Sequence, residues 1–188
     1  ADDAATLWLA YLRWYKHQAG ALPESLEMII PERFIDSSPG MRADRSPSRA
    51  VMTALGSGEM GHPKKPANPN AQDPSALLRS LPFGLVPHVP VKTMLQIAQK
   101  GAALTHGHPD VFATSMVLTA GVRAICEFSV PPAQAFTYDY LLPVLEMLPE
   151  DHDVRAKVVH ARSLGIVHRD AGQVLAGEAL THELGSGE

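Results

Sequence analysis

The chain has 188 residues, a formal net charge of -4 and 45% hydrophobic residues, values typical of a globular protein that exclude wholesale disorder. A chain of this length suits one domain, and its weakly acidic balance lacks the positive surface that nucleic-acid binding requires. One cysteine excludes an intrachain disulfide and favours a reducing, cytoplasmic location. The longest apolar tract, 111–128, contains Arg123, so it predicts a buried helix and no membrane span.

The first part of the chain predicts three helices separated by loops. Segment 6–17 contains good helix formers and no breaker, and a short helix is predicted over 25–30. Segment 36–46 is rich in Ser, Pro, Gly and Arg and predicts a loop. Ser46 followed by Pro47 is typical of an N-cap with proline at the first helical position, so a helix is predicted from there to about residue 55.

The prolines of segment 62–75 make it the least regular part of the sequence, because proline interrupts helices and central strands. A loop of this length is usually functional or disordered. Helical patterns resume afterwards, and no alternating strand pattern follows. The sequence therefore predicts one all-α domain over 1–188 with short turns and a long proline-rich loop. The later helices are predicted over 90–104, over 110–128, after Pro131 and Pro132 with a kink at Pro143, over 153–164 with Asp153 as cap, and over 170–184 with Asp170 as cap.

The most distinctive motif is Thr105-His106-Gly107-His108-Pro109-Asp110, which joins two apolar helices. Glycine lets the chain turn, proline fixes the entry into the next helix, and the free amides of a helix N-terminus suit a phosphate. Three interpretations are open. The motif is a tight turn with Asp110 as cap and both histidines in solvent, a phosphate or nucleotide site that uses His106 or His108, or a transition-metal site. The metal site is the least favoured, because no companion Cys or His pair has ligand spacing.

A second candidate site is segment 70–79, at the end of the proline-rich loop. Asp73 and Ser75 precede a predicted helix, and Arg79 lies about one turn inside it. The segment is either a capped helix start, with Arg79 paired to a nearby carboxylate, or a loop that faces a ligand. Cys126, on a long apolar helix, is predicted to be an inert core thiol.

Several short segments occur in a characteristic order: 11–15 (with Arg13 between aromatic residues), 45–49, 54–58, 78–85 and 103–109. Their order and spacing resemble the ADP-ribosylglycohydrolase family, and the resemblance covers nearly the whole chain. It implies an all-α, orthogonally packed fold with a central cleft that holds two magnesium ions. It also implies hydrolysis of the glycosidic bond between ADP-ribose and a protein side chain or small acceptor. The expected partner is therefore an ADP-ribosylated protein or an ADP-ribose derivative.

The resemblance also assigns the residues that would line the ligand cleft. His106 matches the histidine that lies near the phosphates, and the loop 73–78 matches the glycine-rich loop that cradles the ligand. Arg79 would brace this loop, and no catalytic residue is assigned. The complete set of expected ligand-binding residues is Thr105, His106, His108, Asp73, Ser75, Ala76, Leu78 and Arg79.

Two departures from the family pattern bear on activity. The aspartate motifs that hold magnesium in the family, one near each end, are missing from this sequence, so no metal ligand is assigned. The loop glycines are replaced at positions 73–76, where a β-carbon or a proline ring hinders close approach of backbone amides to a phosphate. These two departures indicate that the chain is either a central segment of a longer protein or a degenerate member of the family. The alternatives to a hydrolase are a catalytically inactive ADP-ribose-binding or protein-interaction module, or an unrelated helical domain. The chain alone is expected to be inert.

Overall fold

The computed structural model describes residues 2–44, 46–127 and 141–170, and within these ranges the fold is all-α, without a β-strand. The predicted fold class is thus confirmed. No helix in these ranges combines the length and the apolarity needed to cross a bilayer. In chain order the elements are α1 (Asp3–Ala19), a 3-10 helix (Phe34–Ser37), α2 (Pro39–Arg42), α3 (Arg49–Gly56), α4 (Ser75–Gly84), α5 (Val91–Ala103), α6 (Pro109–Glu127), α7 (Leu142–Met147) and α8 (Asp153–Asp170).

A capping side chain at one end and a glycine at the other determine where helix α1 begins and ends. The Asp2 carboxylate accepts a hydrogen bond from the Ala4 N–H at 3.0 Å, which satisfies one free amide of the first turn. At the other end Gly20 has φ 84°, and its N–H donates to the Lys16 carbonyl at 2.9 Å. Glycine adopts this left-handed conformation without the penalty of a β-carbon, so it ends the helix here.

The short helix predicted over 25–30 is wrong. The structure shows only a turn, in which the Leu26 N–H donates to the Pro23 carbonyl at 3.1 Å. Ile29 is 94% exposed and Met28 is 45% exposed, so these two apolar side chains are not covered by packing. A helix this short is stable only when tertiary packing covers its apolar side, and that packing is missing around Ile29.

The loop predicted over 36–46 is partly helical, because a buried carboxylate orders it. Asp36 is 2% exposed and lies 3.0 Å from the Arg13 guanidinium of α1. The Asp36 side chain also accepts from the Arg33 N–H at 2.7 Å, at the start of the 3-10 helix. These contacts supply the tertiary stabilisation that a single helical turn lacks by itself.

The predicted N-cap of α3 is wrong by two residues. Ser48 caps the helix, since its Oγ accepts from the Val51 N–H at 3.2 Å. Ser46 has φ 45° and lies outside the helix. The predicted helix end near residue 55 is confirmed, because α3 ends at Gly56.

The helices predicted over 90–104 and 110–128 are confirmed as α5 and α6. Pro143 lies in the first turn of α7, where its missing N–H costs nothing, and it does not kink a longer helix. Helix α8 begins at Asp153 and continues through 164 to Asp170, so the predicted break between two helices is wrong. The predicted helix start at Pro131 and Pro132 and the segment 171–184 lie outside the described residues.

Helices α4, α5 and α6 surround the core and support the turn between α5 and α6. Core residues from α5, α6, α7 and the start of α8 form one cluster, and Ala76, Ala102 and Val111 form a second. Cys126, predicted to be a core thiol, is exposed near the end of α6, so that prediction is wrong. The main cluster comprises Met94, Leu95, Ala113, Met116, Ala120, Val144, Leu148 and Val154.

The mid-helix arginine of α6 is buried, as the apolar pattern around it predicts. Arg123 is 3% exposed and donates hydrogen bonds to the Val86 and Val89 carbonyls, the second at 3.2 Å. Its guanidinium also lies 3.1 Å from the Glu127 carboxylate one turn later. The arginine therefore ties the loop between α4 and α5 to α6.

Candidate functional site

The turn between α5 and α6 is buried and is held by the proline-rich loop. Thr105 and His106 are fully buried, and the His106 N–H donates to the Ala102 carbonyl at 2.9 Å. The Gly107 N–H donates to the Asn68 carbonyl at 3.0 Å, and the Asn68 side-chain amide donates to the Thr105 carbonyl at 3.1 Å. The proline-rich loop, expected to be functional or disordered, is therefore ordered around Asn68 and clamps this turn.

A chain of hydrogen bonds, which we call the polar relay, links Arg79, Thr105, His106 and Asp73. The Arg79 guanidinium donates to Thr105 Oγ1, which lies 2.9 Å from His106 Nδ1. His106 Nε2 lies 2.9 Å from Asp73 Oδ2. The Asp73 carboxylate can only accept, so the proton of the neutral imidazole lies on Nε2 and is donated to Asp73. Nδ1 then accepts from the Thr105 hydroxyl, which itself accepts from Arg79.

The ends of the polar relay are fixed by neighbouring side chains. The Arg79 guanidinium lies 4.9 Å from the centroid of the Tyr11 ring, a cation–π contact with α1. At the other end, Asp73 Oδ1 accepts from the Ser75 hydroxyl at 2.5 Å and from the Ser75 N–H at 3.1 Å. Ser75 Oγ lies 3.3 Å from Ser48 Oγ, so the N-termini of α3 and α4 meet beside this carboxylate.

Burial and hydrogen bonding set the charge states of the polar relay. Burial lowers the pKa of His106, and the Asp73 carboxylate only partly offsets this. Burial alone would raise the pKa of Asp73, but hydrogen bonds from Ser75 and His106 outweigh it and lower that pKa to about 2. Burial also raises the pKa of Tyr11, although the Arg79 charge opposes the rise. At neutral pH the imidazole is therefore neutral and the Asp73 carboxylate is ionised.

These charge states predict how stability changes with pH. The pKa of His106 is lower in the folded chain than its ordinary value of 6.5, so the unfolded chain binds a proton more readily. The free energy of unfolding should then fall as the pH is lowered below about 6.5, with a further loss between about pH 4 and pH 2 as Asp73 is protonated. Urea denaturation across this pH range measures both losses.

The matched variants for this pH series are His106→Gln and His160→Gln. His160 is exposed on α8 and lies outside the polar relay, so its replacement is the control for the loss of an imidazole. The His106→Gln variant should lose less stability between about pH 7 and about pH 5 than the wild-type chain, since it has no buried imidazole to protonate. Equal slopes for His106→Gln and the wild-type chain would show that this histidine is not the titrating group.

The structure brings five of the eight residues of the expected ligand set together. Thr105, His106, Asp73 and Arg79 form the polar relay, and Ser75 contacts its acidic end. The interpretation of a turn with both histidines in solvent does not describe His106, which is fully buried.

The other three expected residues lie apart from the polar relay. Ala76 is buried in the small cluster with Ala102, and Leu78 is 63% exposed on α4. His108 is half-buried, and its Nδ1 accepts from the Asp110 N–H at 3.2 Å at the start of α6. His108 therefore does the capping that the turn interpretation gave to Asp110.

Sequence reasoning missed three residues of this arrangement. Tyr11 supports Arg79, Ser48 contacts Ser75, and Asn68 holds the Thr105 carbonyl. Each of them comes from another element, so local spacing gives no sign of these contacts. Only the serine has a local signature, since serine is typical of the position just before a helix start.

The described ranges contain no group of three or more His, Cys, Asp or Glu side chains able to hold a metal ion. A cavity of about 170 Å³ lies between α3 and the proline-rich loop and borders Asn68, whose side chain hydrogen-bonds to the Thr105 carbonyl of the turn. Pockets that enclose drug-sized ligands measure roughly 300–1,000 Å³, so this cavity accommodates only part of a nucleotide. Its lining residues are Thr53, Ala54, Ser57, Glu59, Met60, Gly61, Lys65, Pro66, Ala67 and Asn68.

A model of the ADP-ribosylglycohydrolase family matches residues 1–187. The chain belongs to this family. Comparisons with curated proteins and with solved structures gave no match. The family acts on ADP-ribosylated substrates by glycoside hydrolysis, which agrees with the resemblance drawn from the motifs. Membership also excludes the alternative of an unrelated helical domain.

Proposed function

We propose that this chain forms part of a hydrolase that cleaves the glycosidic bond between ADP-ribose and a protein side chain or small acceptor. The family match over residues 1–187 carries the proposal. The polar relay supports it, because neutral donors from His106 and Ser75 converge on an anionic group, Asp73, and the Arg79 cation lies behind them through Thr105. A cytoplasmic location and an ADP-ribosylated partner belong to the same proposal.

The eight expected ligand-binding residues remain part of the proposal, and their contacts in the structure refine the role of each. Both ring nitrogens of His106 have partners within the chain, so we assign it to orient the loop carboxylate and to approach the phosphates only when that carboxylate moves. Arg79 braces the Thr105 side chain, and Ser75 directs its hydroxyl and N–H to the Asp73 carboxylate. His108 and Leu78 would contact the ligand only at the edge of the site, and Ala76, whose side chain is buried, only through its backbone.

Magnesium is proposed for the intact family fold and not for these residues alone. The described ranges lack a cluster that fits a divalent ion, so we derive no step through magnesium here. The same observation favours the second candidate function, a catalytically inactive module that binds ADP-ribose or a protein partner.

Two measurements on the chain separate these functions. Titration calorimetry with ADP-ribose, with and without magnesium, reports binding, and chromatography of free ADP-ribose released from an ADP-ribosylated arginine or serine peptide reports hydrolysis. Magnesium-dependent binding, with or without release, supports the hydrolase, because the chain alone is expected to be inert. Binding that does not depend on magnesium, without release, supports the inactive module. If ADP-ribose does not bind at all, the proposed function is wrong.

A further inference from the structure

We propose that the Asp73 carboxylate is a built-in competitor that occupies an oxyanion cradle, so that a phosphate-bearing ligand must displace it to bind there. The cradle consists of the Ser75 N–H and hydroxyl and the His106 Nε2–H, and the Arg79 guanidinium lies two hydrogen bonds behind the imidazole, through Thr105. The contact is therefore autoinhibitory.

The donors of the cradle are built for an anion. The Ser75 hydroxyl and N–H lie 2.5 and 3.1 Å from Asp73 Oδ1, and His106 Nε2 lies 2.9 Å from Oδ2, so both carboxylate oxygens are engaged. His106 is fully buried, which fixes the direction of its N–H. Carboxylate and phosphate oxygens accept the same donors, so a phosphate oxygen can replace Oδ1 or Oδ2 without a change in the donors.

The field of the surrounding backbone also favours a negative charge at this place. Ser48 is the N-cap of α3 and Ser75 is the first residue of α4, and their hydroxyls lie 3.3 Å apart. The positive ends of two helices therefore converge beside the carboxylate, independently of the polar relay. Arg79 adds a full positive charge, which reaches the cradle through Thr105 and His106.

Asp73 is held less firmly than the donors around it. Its side chain is 33% exposed, whereas that of His106 is 0% exposed. A rotation of the aspartate side chain into solvent would vacate the cradle while the donors stay in place. The choice of ADP-ribose as the displacing ligand rests on the proposed function, but the competition with phosphate does not.

The test compares Asp73→Ala with Asp151→Ala in the full chain. Asp151 is exposed in the turn before α8, so its replacement removes the same charge without touching the cradle. Titration calorimetry at constant ionic strength uses inorganic phosphate and ADP-ribose as separate probes. We expect Asp73→Ala to bind both probes at least about tenfold more tightly than the wild-type chain does, and Asp151→Ala to match the wild type.

The outcomes separate this inference from the proposed function. Equal affinities for both probes in Asp73→Ala and Asp151→Ala would overturn the inference, even if ADP-ribose binds all three proteins. A gain for phosphate, with no tighter binding of ADP-ribose than of phosphate, would support the inference and contradict the proposed function. If Asp73→Ala does not fold by circular dichroism, the isosteric Asp73→Asn decides, because it keeps the shape and loses the charge. Asp73→Asn should also gain phosphate affinity, and an affinity equal to that of Asp151→Ala would overturn the inference.

Discussion

Replacing Arg79 by methionine should lower the free energy of unfolding by about 3 kcal/mol. The guanidinium donates to Thr105 Oγ1 and, at 3.1 Å, to the Ser75 carbonyl, and methionine can make neither bond. Hydrogen bonds from charged groups contribute about 1.5–3 kcal/mol each, and methionine recovers part of the packing against Tyr11. Urea denaturation followed by circular dichroism measures the loss.

The control for this variant is Arg49→Met in the first turn of α3. Arg49 is exposed, so its replacement should change stability by no more than about 0.5 kcal/mol. Nitrogen NMR of the His106 ring adds a second readout, since without Arg79 the Thr105 hydroxyl is free to rotate and the Nε2–H tautomer is less strongly selected. If Arg79→Met is as stable as Arg49→Met and keeps the same His106 tautomer, the polar relay is not organised by this arginine.

The elements that could be predicted from the sequence are those whose ends carry local signals. Helix α5 follows Pro90 and α6 starts at Pro109, so these two prolines predict the position of the turn that carries Thr105 and His106. The prolines act through their own backbone geometry, which depends on no distant residue. The same local reasoning predicts the start of α4 with Asp73 or Ser75 as N-cap. The helix does begin at Ser75, but its N-cap is Pro74, so the predicted cap is wrong.

What the sequence could not predict depends on contacts between distant segments. Ser46 and Ser48 have similar N-cap chemistry, and only Ser48 both caps α3 and approaches Ser75. Arg79 could pair with any carboxylate by spacing alone, but its guanidinium lies on the Tyr11 ring and donates to Thr105. Whether a residue is buried also depends on contacts between distant segments. For this reason the apolar pattern of α6 gives no sign that its last residues are exposed.

Replacing glycine by alanine should have opposite effects on stability at two positions, Gly84 in α4 and Gly121 in α6. A β-carbon at Gly84 would lie 2.6 Å from the Thr119 carbonyl oxygen and 2.7 Å from Val122 Cβ. Neither neighbour is the free end of a flexible side chain, so α4 and α6 would have to separate. Overpacking a core usually costs about 1–3 kcal/mol, and we expect Gly84→Ala to lie at the upper end of this range.

The matched variant is Gly121→Ala, within α6 itself. A β-carbon at Gly121 would meet no atom within 4 Å, and alanine favours a helix interior over glycine by about 1 kcal/mol. Gly121→Ala should therefore stabilise the chain, while Gly84→Ala destabilises it, in one urea denaturation series. If Gly84→Ala is as stable as the wild type, α4 and α6 are not as closely packed in solution, and the position of Arg79 relative to the turn would have to be revised. Because α4 carries Ser75 and Arg79, the close approach at Gly84 also sets the geometry of the candidate site.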